Sequence, residues 1–356
     1  MQIKRLHVEN LRILEKADIY PAPGINFITG DNGAGKTSLL EAIYLLGRGK
    51  SFRHRDSGPF IRTGCKYSMV VAELDKDDGS STRLGVERAS SSIRVKQDGK
   101  EVLKRSLLLK SLPLQIIAPK SHELIEKGPE SRRNFLDFGM FHVEHGYLER
   151  LTEYSKALKQ RNAALRSCQI DVVRSYNPLL ANLANKIQCN RQSYIDTLSE
   201  ILQLTLQQME VQFSVSVRLN PGMSLDQELE LQLRNREALD LKRGHTSVGI
   251  HRADLVVLSD NVLAAHRLSR GQQKILVYAL KIAQSRLFQR RTNIAPILMV
   301  DDLTAELDGR HLKRMLHLLD ELMLQVFVTL VSKEQIAETS SAGVFHVEHG
   351  QVNQYL

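Results

Sequence analysis

The residues Gly30-Asp31-Asn32-Gly33-Ala34-Gly35-Lys36-Thr37 fit the pattern G-x-x-x-x-G-K-[ST] at every defined position, and Ser38 follows directly. Such a loop holds phosphate. Its glycines let backbone N–H groups converge on an anion, Lys36 brings a mobile cation, and Thr37 offers a hydroxyl to Mg²⁺. A second constellation stands far downstream, where Ile297-Leu298-Met299-Val300 runs into Asp301-Asp302. Four apolar residues ending in two carboxylates read as a buried parallel strand that delivers acids to one edge. Asp301 is then a ligand for Mg²⁺, directly or through water, and Asp302 is placed to orient or deprotonate an attacking water. Together they describe a nucleoside triphosphate site with catalytic residues Lys36, Asp301 and Asp302.

The elements that must position these groups are legible nearby. Ile25–Thr29 is an apolar strand before the loop, and Leu39, Leu40, Ile43 and Leu46 recur at helical spacing after it, so the order is strand, loop, helix. Further strands are expected over Tyr67–Leu74, Thr82–Glu87 and Ile93–Lys96. From about Ser121 to Arg243 the composition turns rich in Leu, Gln, Glu and Arg with helical periodicity, too poor in heptads for a long antiparallel coiled coil. The β/α pattern resumes near Gly249 with Ala253–Leu258, a helix from Ser269, the Asp301 strand, a helix from about Gly309 to Leu324, and a strand over Gln325–Val331. The expected organisation is a core of residues 1–120 and 246–356 split by a helical lobe, 121–245.

A third motif narrows the class. Leu268-Ser269-Arg270-Gly271-Gln272-Gln273 opens a helix about thirty residues before the Asp301 strand and resembles the L-S-G-G-Q signature of ABC ATPases. That resemblance implies an α/β ABC-type ATPase head: a mixed, largely parallel sheet with the phosphate loop, an antiparallel β subdomain and an inserted helical lobe. It also implies that Ser269, Gly271 and Gln272 complete the γ-phosphate site of a second copy. One phosphate loop and one signature per chain then require an ATP-dependent homodimer. Ala305-Glu306-Leu307-Asp308 resembles the loop that crosses such interfaces. Two departures predict slow turnover: Asp302 stands where most of these enzymes have Glu, and Thr329-Leu330-Val331 stands where a histidine ends the next strand.

Composition sets outer bounds. The 356 residues carry a net charge of +9, and residues 1–120 hold 21 Lys+Arg against 13 Asp+Glu, while the remainder is nearly balanced. A basic excess of this kind favours a polyanionic partner. No apolar run reaches a membrane span, and MQIKRLHVEN lacks an export signal, so a cytoplasmic location without a membrane partner is expected. Cys65, Cys168 and Cys189 are scattered and suggest neither a disulfide framework nor a zinc site. Phe-His-Val-Glu-His-Gly occurs twice, at Phe141–Gly146 and Phe345–Gly350, and is read as local packing rather than metal ligation.

The whole chain is similar to the RecF family of DNA repair and replication proteins. The resemblance rests on Leu6-x-x-Glu9-Asn10-Leu11-Arg12, Gly47–Arg53, Lys127–Asp137 and Gly249–Asp254, together with the three motifs above. It implies a weak, DNA-stimulated ATPase used as a switch, which dimerises on ATP and Mg²⁺ and binds single-stranded, gapped or junction DNA. It implies work with RecR and RecO to help RecA load at gaps, in repair, replication restart and the SOS response. The basic residues Lys50, Arg53, Arg55, Arg62 and Lys66 are expected to meet DNA phosphates. The alternatives are the nucleotide-binding subunit of an ABC transporter and a structural DNA-binding protein with a vestigial loop.

Overall fold

The computed structural model describes residues 1–53, 60–90, 92–102, 105–303, 309–331 and 342–355. In chain order the first elements are β1 (Gln2–Leu11), β2 (Leu14–Ile19), β3 (Ile25–Thr29), α1 (Lys36–Arg48), β4 (Tyr67–Asp75), β5 (Ser81–Ala89), β6 (Ile93–Gln97), β7 (Lys100–Glu101), α2 (Arg105–Ser111) and β8 (Leu114–Ile117). A helical stretch follows: α3 (Glu123–Glu126), α4 (Pro129–Val143), α5 (Tyr147–Arg166), α6 (Ile170–Ser175), α7 (Asn177–Gln208), then β9 (Ser216–Asn220), α8 (Leu229–Asn235) and α9 (Glu237–Arg243). The chain closes with β10 (Asp254–Ser259), β11 (Val262–Leu263), α10 (Ala264–Arg267), α11 (Arg270–Thr292), β12 (Ile297–Val300), α12 (Gly309–Glu321), β13 (Val326–Thr329), β14 (Gly343–Glu348) and β15 (Gln351–Tyr355).

Residue contacts divide the chain into one unit of residues 1–121 with 278–356 and another of residues 122–277. The second boundary falls inside α11, well beyond the expected 245. Residues 246–277 do carry the β/α pattern read from sequence, but β10 pairs with β9 of the helical segment, so they pack there.

The first unit holds two sheets. One has the order β2-β1-β4-β5-β6-β7 and is antiparallel throughout; the other runs β15-β14-β3-β13-β12-β8, parallel from β14 to β8. All residues of β3, β12 and β13 are buried, as central strands of a parallel sheet covered on both faces must be. Helix α1 supplies Leu39, Leu40, Ile43 and Leu46 to a single apolar core shared with both sheets. Among these apolar groups Glu41 is fully buried, held by a bidentate pair from Arg12 (2.8 and 2.9 Å) and by the Ser51 hydroxyl. A buried carboxylate is tolerated only with such partners.

In the second unit α5 packs on the 32-residue α7, and β9, β10 and β11 form a small antiparallel sheet. Polar groups tie it together. Arg161, fully buried, donates to Asp240, Thr246 and Asn177. Arg191 donates to Asp137, to Tyr147 and to the Ile250 carbonyl.

Candidate functional site: a phosphate loop facing two carboxylates

The sheet order explains why residues 265 positions apart meet. β13 lies between β3 and β12, all three parallel, so the loop after β3 and the acids after β12 leave the same edge. A cleft of about 450 Å³ opens there, lined by Asp31, Asn32, Gly33, Gly35, Lys36, Thr37 and Ser38 from the loop and by Asp301 and Asp302 opposite. Gly30 closes the loop's base. Its φ is +141°, and an added Cβ would stand 2.1 Å from the Val347 carbonyl oxygen, so glycine alone fits. Helix α1 begins at Lys36 with no side-chain cap and no acid in its first turn. Its open N–H groups therefore make an anion site at the cleft floor.

Lys36 is buried and donates to the carbonyls of Gly30 (2.5 Å) and Asp31 (3.0 Å). Burial pulls its ammonium below the ordinary lysine range, opposed by Asp302, Asp301 and Asp31. Thr37 donates its hydroxyl to Asp301 Oδ1 at 3.1 Å, and Thr329 donates to the same oxygen at 3.0 Å. Thr329 Oγ1 in turn accepts the Asp302 N–H at 2.7 Å. A single hydroxyl thus fixes both carboxylate residues. Burial holds the Asp301 carboxyl above its usual range, a shift that the two threonine hydroxyls work against, Asp302 reinforces and Arg53 opposes. Asp302 sits at φ +60°, a left-handed conformation uncommon outside glycine and often kept at functional sites.

The expected residues do not all gather here. Ser269, Gly271 and Gln272 lie in the other unit, at the start of α11. The Gln272 side chain accepts from the Ser269 N–H (2.9 Å), while the Gln272 N–H donates to Ser269 Oγ (3.3 Å), a reciprocal capping box. Of the basic residues, Arg53 lines the cleft, Arg62 pairs with Glu15 at 2.9 Å, and Lys50 and Lys66 are exposed; Arg55 and Ala305–Asp308 lie outside the described residues. Ile13, Phe52, Pro119 and Lys120 also line the cleft, and neither Ile13 there nor the bridging of both acids by Thr329 is an expectation of the sequence. Ile13 and Thr329 carry no local signal, because their approach to the motifs depends on the strand order.

The hexapeptide repeat resolves into two different structures. Phe141–Gly146 ends α4, whereas Phe345–Gly350 forms β14 and its turn, where the Gly350 N–H donates to the Ala34 carbonyl at 3.1 Å.

Two stretches that sequence left without a role also meet. Arg132 grips Asp254 bidentately (2.8 and 2.9 Å), and Arg133 donates to the Ala253 carbonyl. His251 contacts Tyr154 and the Thr246 carbonyl, and burial pushes its imidazole down to about 4, so the ring is neutral.

Residues 2–353 match the family model described as the RecF/RecN/SMC N-terminal domain. DNA replication and repair protein RecF of Shewanella denitrificans is 36% identical over 357 residues, covering 99% of each chain. That of Stutzerimonas stutzeri is 38% identical over 361 residues, covering 99% of this chain and 98% of the relative. The chain belongs to the RecF family. A solved recombination mediator protein RecF-ATPrS of the RecFOR pathway superimposes with a TM-score of 0.86 at 26% identity, over 100% of this chain and 98% of its own. An SMC head bound to the C-winged helix domain of ScpA shares the fold at a TM-score of 0.65 and 15% identity, over 100% of this chain and 97% of its own. The RecF fold is therefore that of an ABC-type ATPase head, and these relatives do not favour the transporter reading. No helix among the described residues is long and apolar enough to cross a membrane.

Proposed function

We propose that this chain is an ATP-operated DNA-binding switch of recombinational repair and replication restart. The observation that carries it is the convergence of Lys36, Thr37, Asp301 and Asp302 on one cleft. ATP binding is supported by the solved RecF-ATP relative, which is 26% identical. The triphosphate would lie on the loop and α1 N-terminus, with Lys36 turning from the loop carbonyls to the phosphates. Thr37 Oγ1 and Asp301 Oδ1, 3.1 Å apart, are hard oxygen donors suited to Mg²⁺. Mg²⁺ would supply charge neutralisation at the β- and γ-phosphates. Asp302, held by Thr329, is the group that would orient the attacking water.

Arg53 lines this cleft, and we assign it to nucleotide phosphate rather than DNA. Lys50 and Lys66, both exposed, remain as DNA phosphate contacts. In this reading Ser269 and Gly271 serve the site of a second copy, so ATP·Mg²⁺ closes a homodimer. Hydrolysis is slow because Asp302 is one methylene shorter than Glu and Thr329 replaces histidine. The closed dimer would bind single-stranded, gapped or junction DNA and act with RecR and RecO in RecA loading; the RecFOR pathway in which the solved relatives act supports that context.

The test is a titration with a fluorescent ATP analogue and Mg²⁺, paired with DNA filter binding across a salt series. Saturable nucleotide binding lost in Lys36→Ala, with DNA affinity that rises with ATP and falls with salt, is expected. No nucleotide binding, or DNA affinity indifferent to ATP, would overturn it.

A further inference from the structure

The outward face of the antiparallel sheet carries a hollow that the nucleotide cleft does not use. Strand register places His7, Val71, Gly85 and Lys96 in one cross-strand row, with Met69 and Arg94 in the next row and Arg83 in the row on the other side. Leu84 and Val86 of β5 point into the core, so their neighbours Arg83, Gly85 and Glu87 point out. An outward face of this kind is ordinarily polar, yet Met69 and Val71 stand half-buried in its middle. Gly85 places no side chain between Val71 and Lys96. The result is a hollow of about 310 Å³ floored by Met69, Val71 and Gly85 and rimmed by Arg83, Glu87, Arg94 and Lys96.

The rim is basic in balance, with Arg83, Arg94 and Lys96 against the single carboxylate of Glu87. Toward β1, Arg5 is engaged by Asp18 (2.7 and 2.9 Å) and by Glu73 (3.7 Å). Toward β6, the side chains of Arg83 and Lys96 have no hydrogen-bond or ion-pair partner among the described residues, and Arg94 meets Glu87 only at 3.9 Å. The geometry points to a docking site for a short acidic protein segment, whose one apolar side chain fills the hollow while flanking carboxylates meet Arg83, Lys96 and Arg94. Nucleic acid fits less well. The floor is aliphatic and offers no aromatic ring on which a base could stack, whereas it suits an apolar side chain. This site is separate from the nucleotide cleft and goes beyond the proposed switch.

Gly85 makes the idea testable without unfolding the sheet. A Cβ added there would lie 3.6 Å from Val71 Cγ2 and 4.0 Å from the Val70 carbonyl oxygen, ordinary contacts, and valine favours strands over glycine. Gly85→Val therefore fills the hollow while preserving the fold. The experiment is a peptide-phage selection on the full chain, followed by fluorescence anisotropy of the enriched peptides. Enrichment of Leu, Ile, Met or Phe flanked by at least two acids is expected. Those peptides should bind Gly85→Val and Arg83→Glu at least about tenfold more weakly, about 1.4 kcal/mol, with ATP affinity unchanged and the unfolding midpoint of Gly85→Val no lower than the parent's. Absence of enrichment, enrichment of basic or uncharged peptides, or full affinity for Gly85→Val would overturn the proposal. So would a matching loss of DNA affinity in the two variants, which would make this a nucleic-acid face.

Discussion

Replacing Thr329 with valine keeps the volume of the side chain and removes one hydroxyl, the one that joins Asp301 to Asp302. Two bonds are lost: the 3.0 Å donation to Asp301 Oδ1 and the 2.7 Å acceptance from the Asp302 N–H. A hydrogen bond to a charged group contributes about 1.5–3 kcal/mol, and an orphaned donor costs about 1–3 kcal/mol. Thr329 is 1% exposed, but the Asp302 N–H is only part-buried, so water recovers some of the second term. A net loss of about 2–4 kcal/mol is expected. Guanidinium unfolding at neutral pH, followed by circular dichroism, measures it directly. Asp301→Ala and the double variant complete a cycle; because each change removes the same bond, a coupling of at least about 0.5 kcal/mol is expected. The catalytic consequence is separate: with Asp302 released from its left-handed conformation, the hydrolysis rate should fall more than ATP affinity. A loss under 1 kcal/mol with additive single changes would refute the bridging role.

Asp301→Asn on its own should stabilise the chain at pH 7. Burial raises the folded carboxyl above its unfolded value near 4, so the folded state holds that proton more tightly. The associated stability is fully present below about pH 4 and is lost as pH rises through the folded value. Asparagine still accepts from Thr37 and Thr329 without charge, so the variant's unfolding midpoint should exceed the parent's at neutral pH and converge with it toward pH 4, while Mg²⁺-dependent nucleotide binding disappears. Arg12→Met strips the buried Glu41 of its bidentate partner and should cost about 3–5 kcal/mol, most of it recovered when Glu41→Met is added; denaturant titration of the three variants decides this. Gly350→Ala places a Cβ 2.3 Å from the Ile13 carbonyl oxygen at φ +80° and disturbs the Gly350 N–H to Ala34 bond. It should weaken ATP binding by calorimetry roughly three- to tenfold, whereas Gln354→Ala, in the same hairpin but bonded to Tyr20, should not.

What could be read from sequence was what neighbouring residues decide. β3, the loop, α1 and β12 announce themselves because an apolar strand, a glycine run and a 3.6-residue period are all local. The identical hexapeptide shows the limit: Phe141–Val143 is helical while Phe345–Val347 is strand, so the choice belongs to tertiary packing and not to those residues. β14 is not legible locally for that reason, nor is the packing of Val347 and Gly350 against the phosphate loop. Sequence sets the far end of the helical lobe at 245 because β10 and α10 look like core elements locally; the pairing of β10 with β9 puts them in the other unit. By sequence Thr329 marks only the absence of a histidine, whereas in the structure its hydroxyl joins Asp301 to Asp302. Its bond across two parallel strands depends on β13 lying between β3 and β12, an order that no single stretch of sequence carries.

In the proposed switch, ATP completes its site only between two copies, with Ser269 of one facing the phosphate loop of the other. Sedimentation velocity of the chain with and without ATP·Mg²⁺, alongside Ser269→Arg, tests it most directly. A shift from monomer to dimer on ATP that Ser269→Arg abolishes, while its own ATP affinity persists, is the predicted result. A chain that saturates with ATP and stays monomeric, or a Ser269→Arg variant that dimerises normally, would rule out a nucleotide site shared between two copies.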